Sequence, residues 1–365
     1  MQLSLPQHTV TLTFGMNNHI GMLERLGVDV SDLQARRREL ESTLKPDARE
    51  ASADWQALEH DVLEADAGAT TFEPWDLDEI RAARPSRRVD RYEHALPPEE
   101  LEDRVHGAWL TRIAGCMLGK PLEWFMKEEH SCPRTRHYLA EVGEYPPRDY
   151  VSRAAVMPYY RIIESKGLVA GPVERTAPGL PALRENLRGA CADDDTNYSL
   201  MTLRRMREHG LEPSPDQVLA FLQLMQGAGS FASNAGLVLR NRLMGIELPE
   251  AVRYMNTGRE CVRSQIRIDP LGYVCPGDPE AAARLAWCEA AATGSECGLH
   301  GAMWTAACIA SAFAEPDPLA IVERGLEQVP ENCRFRAEID RTIDAWRRNG
   351  EDFGKTFDEI DARWS

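Results

Sequence analysis

Apolar residues recur at helical spacing along most of this chain, and the strict alternation of apolar and polar residues that marks a strand is almost absent. Ordinary start and stop signals bound the pattern, such as Gly210 after one helical stretch. The stretch 299–314 is rich in Ala, Gly, Ser and Cys, which predicts a central helix that its neighbours approach closely. The sequence therefore predicts an all-α protein, with helices at 31–44, 53–65, 77–83, 99–118, 195–209, 215–226, 233–244, 248–264, 279–292, 299–314, 318–327, 335–348 and 352–363.

Charge narrows the classes of partner. The 365 residues include 42 Lys and Arg against 58 Asp and Glu, a net charge of −16. Nucleic acid and anionic membrane surfaces both need a basic face, so we expect neither as a partner. A small molecule that carries phosphate stays compatible with this charge, because helix N-termini and a few arginines can bind it.

The first hundred residues differ from the rest of the chain. They combine short charged helical patterns with polar loops and show no recognisable chemistry. We therefore predict an N-terminal helical extension over 1–100 and a larger helical domain over 101–365. The nine cysteines include no pair with the two-residue gap of a zinc knuckle, and no signal peptide or 18-residue apolar run is present. These features predict a soluble, cytoplasmic protein with reduced thiols.

An unusual run of three acids, Asp193-Asp194-Asp195, stands at the start of a predicted helix and is followed by Thr196. A helix N-terminus favours one or two acids, at ~0.3–1 kcal/mol each, through capping and the macrodipole. The third acid is poorly explained in this way, whereas a hard divalent cation binds several carboxylate oxygens from one rigid place. A solvated helix start with spare acids is the alternative.

A second segment combines glycines with a carboxylate. Gly107, Gly115 and Gly119 lie on one predicted helix, which breaks at a Lys-Pro pair before Glu123. Each helical glycine costs roughly 1 kcal/mol relative to alanine and is tolerated where another backbone or a ligand comes close. Glu123 is either part of a site there or an ordinary surface carboxylate.

Three blocks of sequence together resemble the ADP-ribosylglycohydrolase family. They are GCMLGKPLE (115–123), DDDT (193–196), and the long block from DPLGYVCPGDP to IASAF (269–313), which resembles the bacterial branch of the family. The resemblance covers roughly 104–325. It implies a compact, orthogonal multi-helix domain that follows the N-terminal extension, a dinuclear magnesium or manganese centre, and hydrolysis of an N- or O-glycosidic bond to ADP-ribose.

The resemblance also implies roles for individual residues. Asp193, Asp194 and Asp195 are the expected ligands of Mg²⁺ or Mn²⁺, and Glu123 and Asp194 are the expected catalytic residues. The chemistry agrees, since glycoside hydrolysis passes through an oxocarbenium-like transition state. A metal orders the ribose hydroxyls and activates a water, while a carboxylate accepts the proton of that water.

Four further residues are expected to bind substrate: Gly119, Tyr273, Gly277 and His300. Gly277 precedes Asp278, the predicted N-cap of the helix that begins at the next residue. Such a helix start either faces a phosphate or is a plain structural turn. His300, in a glycine-flanked position, either lines the pocket or is a core or capping histidine.

The chain also departs from the family pattern. The second acidic tract, of D-x-D-S/T type near the C-terminus, has no counterpart here, and Cys116 replaces the commoner aspartate of the glycine-rich motif. The loop 293–297 is TGSEC where the bacterial branch has an S-H-T-G-N-like sequence. We therefore expect one weakly held Mg²⁺ or Mn²⁺, or a second chain that supplies the missing C-terminal part.

Three functions follow from these observations. The first is a metal-dependent glycohydrolase that acts on an ADP-ribosyl or ribosyl group of a protein side chain or a small NAD-derived metabolite, and the altered 293–297 loop favours a small molecule. The second is a catalytically degenerate protein of the same fold that binds ADP-ribose or a nucleotide. The third is a structural module whose acidic tract is merely a solvated helix start.

Overall fold

Every regular secondary-structure element of the described residues is a helix. A computed structural model describes residues 16–24, 27–43, 53–69, 73–93, 96–127, 131–169, 171–177, 179–226, 234–350 and 352–364. No strand occurs in these ranges, and the all-α prediction is confirmed. Among the helices described there, none has the length and apolar character needed to cross a membrane.

The chain forms two compact units. The first takes its described residues from 1–94 and 201–336, and the second from 95–200 and 337–365. The first break lies near the boundary expected at residue 100, but residues before it share a unit with 201–336. The division into 1–100 and 101–365 stays a prediction.

The helices of the first unit are α1 (16–24), α2 (Ser31–Thr43), α3 (Ala53–Ala69), α4 (Leu77–Ala82), α10 (Pro215–Gln226), α11 (Asn234–Leu243), α12 (Glu250–Arg253), α13 (Asp269–Tyr273), α14 (Pro279–Ala290), α15 (Glu296–Ser311) and α16 (Pro318–Leu326). Those of the second unit are α5 (Pro98–Gly119), α6 (Ser131–Glu141), α7 (Arg153–Ser165), α8 (Val173–Thr176) and α18 (Phe353–Trp364). The chain passes between the units within α9 (Asp194–His209) and α17 (Arg334–Asn349).

Helix α15 lies at the centre of the first unit and packs against α13, α14 and α16. Its Leu299, Met303 and Ala306 are fully buried. Small residues make this possible, because a Cβ at Gly298 would lie 2.5 Å from the carbonyl oxygen of Arg259. The predicted close approach of neighbours to this small-residue helix is confirmed.

The second unit has a core of aromatic and aliphatic side chains between α6, α7 and a 3₁₀ helix, Lys120–Lys127, that follows α5 directly. The Tyr160 hydroxyl donates a hydrogen bond to the carbonyl oxygen of Pro121 at 2.5 Å. Gly179 packs so closely on this turn that a Cβ there would lie 2.6 Å from the Pro121 Cα and 2.9 Å from the Lys120 carbonyl oxygen. The core thereby fixes the backbone of the Lys-Pro turn.

Candidate active site

The three side chains of the acidic tract differ in their contacts and in their exposure. Asp193 is the N-cap of α9, since its Oδ1 accepts a hydrogen bond from the Asp195 amide at 2.8 Å. Asp193 is only 6% exposed, Asp195 is half-buried, and the side chain of Asp194 is 63% exposed. Capping therefore accounts for one of the three acids and leaves the other two to be explained.

A fourth carboxylate joins the tract. Glu123, on the 3₁₀ helix Lys120–Lys127, offers an oxygen that lies within 4.8 Å of one oxygen from each of Asp193, Asp194 and Asp195. We call these four residues the carboxylate cluster. Burial, followed by the neighbouring Asp193 and Asp194, raises the pKa of Asp195 to about 6. The structure thus brings together, within the second unit, the four acids that the sequence singled out.

Lys120 supplies a positive charge to this cluster. Its Nζ lies 2.9 Å from Glu123 Oε1, 3.1 Å from Asp193 Oδ2 and 3.1 Å from Asp194 Oδ1. Burial lowers the pKa of Lys120, but hydrogen bonds to the three carboxylates outweigh it and hold the pKa well above its ordinary value. The sequence pattern marks Lys120 only as part of a helix break, although its spacing of three residues from Glu123 is a usable signal.

The donor set of the carboxylate cluster fits a hard divalent cation. Carboxylate oxygens are the ligands that Mg²⁺ and Mn²⁺ prefer, and four acids against one ammonium group leave an excess of negative charge. Cys116 lies within 4.8 Å of Asp193 and Asp195. Burial raises the pKa of its thiol, so it stays neutral and is a poor ligand for a hard metal. Metal binding by Asp193, Asp194 and Asp195 stays a prediction.

The glycines of α5 leave open space. Apart from adjacent residues and the backbone of α5 itself, no described atom lies within 4 Å of a Cβ built at Gly107, Gly115 or Gly119, and no residue of α5 is buried. The close approach of a neighbour, which the glycines led us to expect, is therefore not found among the described residues. Gly119 directly precedes Lys120, so the space beside it belongs to the same unit as the carboxylate cluster. Its role in substrate binding stays a prediction.

Two glycine variants should have opposite effects on stability. Gly115→Ala meets no described neighbour and should raise the free energy of unfolding by about 0.5–1 kcal/mol, because alanine favours the helix. Gly179→Ala should lower it by about 1–3 kcal/mol, because its Cβ would push into the Lys120-Pro121 backbone. Urea unfolding followed by circular dichroism measures both. A destabilised Gly115→Ala would show that something packs on α5 after all.

Two other expected substrate-binding residues, Tyr273 and Gly277, belong to the first unit. Tyr273 ends α13 and is 9% exposed. Gly277 donates its amide hydrogen to the Ala310 carbonyl at 2.8 Å, so this amide is already used within the fold. The predicted N-cap is confirmed, because Asp278 Oδ1 accepts a hydrogen bond from the Ala281 amide at 2.9 Å. Substrate contact by Tyr273 and Gly277 stays a prediction.

His300 is fully buried in the first unit. Its Nδ1 lies 3.1 Å from Glu73 Oε2, and its Nε2 lies 3.1 Å from the Pro74 carbonyl oxygen. Burial lowers the pKa of His300, but contacts with Cys333 and Glu73 outweigh it and raise the pKa to about 9. The imidazolium therefore ties residues 73–74 to α15, which favours the alternative of a core histidine. A role in substrate binding stays a prediction.

Fold and site together define an all-α protein with a clustered set of carboxylates suited to a hard metal ion. The family model described as ADP-ribosylglycohydrolase matches residues 97–364, and the chain belongs to this family. The match includes Glu123 and the whole acidic tract, and membership suggests glycohydrolase activity. No curated protein and no solved structure matches the chain significantly.

Proposed function

We propose that the protein is a metal-dependent glycohydrolase that cleaves the glycosidic bond of an ADP-ribosyl or ribosyl group. The group is carried by a protein side chain or by a small NAD-derived metabolite. One observation supports this most strongly: Glu123 lies with Asp193, Asp194 and Asp195 in a single cluster, on the residues that the family match covers.

The exposure of the acids suggests a division of roles. Asp193, Asp194 and Asp195 would hold Mg²⁺ or Mn²⁺, which supplies Lewis-acid activation of a water and orients the ribose when bound. Glu123 is 36% exposed at its side chain and would accept the proton of the attacking water. Asp194 is the most exposed of the four and would orient the sugar or the water. A bond forms between the water oxygen and the anomeric carbon while the bond to the leaving group breaks. The proton that Glu123 accepts from the water is then passed, directly or through solvent, to the leaving group.

The test is product analysis with purified protein. ADP-ribosyl-arginine, ADP-ribosyl-serine and a panel of ribosylated small molecules are incubated with Mg²⁺, with Mn²⁺ and with EDTA, and products are identified by mass spectrometry. We expect release of ADP-ribose or ribose that depends on metal and carries one ¹⁸O atom from labelled water. No turnover of any substrate with either metal would contradict the proposal.

A second candidate is a protein of the same fold that binds ADP-ribose without cleaving it. The observation that favours it is the ammonium group of Lys120, which neutralises part of the carboxylate cluster without any metal. This candidate predicts saturable binding of ADP-ribose in calorimetry that is unchanged by EDTA, together with no product in the assay above.

A further inference from the structure

The ammonium group of Lys120 has its hydrogen-bonding capacity filled by the carboxylate cluster. An ammonium group has three N–H donors. That of Lys120 donates hydrogen bonds to Glu123 and Asp194 and lies 3.1 Å from a third carboxylate oxygen, Asp193 Oδ2. The Lys120 side chain is only 11% exposed, so these bonds form in a partly desolvated place where they are stronger than on an open surface. The lysine is therefore a defined component of the cluster.

The Asp193 and Asp194 oxygens that contact the ammonium group cannot bind a metal ion at the same time. The three N···O distances are 2.9–3.1 Å. Mg²⁺ holds its oxygen ligands at about 2.1 Å, so an ion bound to these oxygens would take the place that the ammonium group fills. Loading a metal therefore requires the ammonium group of Lys120 to leave.

Electrostatics allow such an exchange. Glu123, Asp193 and Asp194 carry three negative charges against the single charge of Lys120, so the site still attracts a dication. Lysine is a flexible side chain of four methylene groups, and its backbone can stay fixed at the Pro121 turn while its head moves into water. The side chain of Asp194 is 63% exposed, so solvent reaches the cluster at this residue.

We propose that Lys120 is a tethered competitor for the metal ion: it holds the carboxylate cluster together in the metal-free protein and must leave before Mg²⁺ or Mn²⁺ binds. This rests on the metal site of the proposed function and adds its regulation. The net free energy of metal binding is then the gain from binding the dication minus the cost of displacing the lysine. The metal is therefore held weakly.

The first experiment compares Mn²⁺ binding by the full chain and by Lys120→Met, measured by the electron paramagnetic resonance of free Mn²⁺ after treatment with EDTA and dialysis. We expect the variant to bind Mn²⁺ at least tenfold more tightly, a change of about 1.4 kcal/mol. In EDTA its thermal midpoint should fall below that of the unaltered protein, because the acids repel one another, and Mn²⁺ should restore it. Lys120→Gln, which keeps a donor, serves if Lys120→Met fails to fold.

Two controls locate the effect. Lys355→Met removes the same charge from a lysine whose side chain is 70% exposed and pairs with Asp352, and it should leave the Mn²⁺ affinity unchanged within twofold. Adding Asp193→Asn to Lys120→Met should abolish the gain in Mn²⁺ affinity, because Asp193 supplies an oxygen for which the lysine and the metal compete. Equal or weaker Mn²⁺ binding by Lys120→Met would overturn the competition while leaving the metal site intact. No Mn²⁺ binding by any variant would overturn the metal site of the proposed function as well.

A second experiment uses the unaltered protein. An amine-acylating reagent labels Lys120 slowly when its ammonium group is bonded to three acids, and faster when that group is displaced into water. We expect Mg²⁺ to increase the labelling of Lys120 several-fold in peptide mass spectrometry, with Lys355 as the internal reference. Labelling that is unchanged or reduced at a Mg²⁺ concentration that saturates the site would show that the lysine stays in place, and would overturn the proposal.

Discussion

Replacing Glu289 with alanine should destabilise the protein by about 3–5 kcal/mol, one of the two largest effects that we expect from a single substitution. Glu289, on α14, is 1% exposed and lies between two buried arginines. Its Oε2 lies 2.7 Å from Arg205 Nε and its Oε1 lies 3.1 Å from Arg267 Nε. Removing the carboxylate leaves two guanidinium charges inside the first unit without their anion. Urea unfolding followed by circular dichroism measures the loss.

Two companion variants make this result specific. Glu289→Gln keeps the shape and one acceptor but loses the charge, and it should fall between the unaltered protein and Glu289→Ala. Glu208→Ala breaks a pair with Arg204 at 2.8 Å on the surface of α9, and should cost no more than about 0.5 kcal/mol. A loss of less than about 1 kcal/mol for Glu289→Ala would mean that water or other anions solvate the two arginines in the variant. Glu289, Arg205 and Arg267 would then not form a closed buried network.

Helical periodicity predicts the helices well where apolar spacing and end signals agree. The helix expected at 215–226 is Pro215–Gln226 in the structure, and the one expected at 195–209 is Asp194–His209. The expected helix 248–264 is wrong beyond its first turn, since α12 covers only Glu250–Arg253. Two residues later Met255 has a φ of 48°, a left-handed conformation that a helix cannot continue through. Local spacing alone does not reveal such a break.

Helix α7 escapes prediction for the opposite reason. Pro158 lies inside Arg153–Ser165, and a proline within a helical pattern normally argues against a helix. Here the apolar side of α7 wins, because Val156, Tyr159, Tyr160 and Ile163 are all buried in the core of the second unit. Tertiary packing overrides local propensity.

The acids of the candidate site can be predicted from the sequence, but the position of the Lys120 ammonium group among them cannot. Three adjacent carboxylates repel one another, so the tract stands out from residue order alone. Glu123 stands out because it follows a glycine-rich helix and a Lys-Pro pair. The position of Lys120 follows from the Lys-Pro turn, which Tyr160 and Gly179 fix from distant parts of the chain. The pairing of His300 with Glu73 joins residues 227 positions apart in sequence, and no local pattern encodes it.

Replacing Glu123 with glutamine should lower the rate of glycosidic cleavage by at least about 100-fold, because a general base contributes typically 10²–10⁴-fold and an amide cannot accept the proton. Glutamine has nearly the same shape, so the 3₁₀ helix Lys120–Lys127 should persist and ADP-ribose binding by calorimetry should change little.

Glu100→Gln is the matched control, because it makes the same chemical change at a residue of α5 that pairs with Arg104. The Glu100 side chain is 46% exposed, and its replacement should leave the rate unaltered. The rate of product release under saturating substrate and metal is the measurement. A Glu123→Gln variant that kept more than half of the activity would remove Glu123 from the proposed proton transfer, and the acceptor would then have to be sought among the aspartates of the cluster.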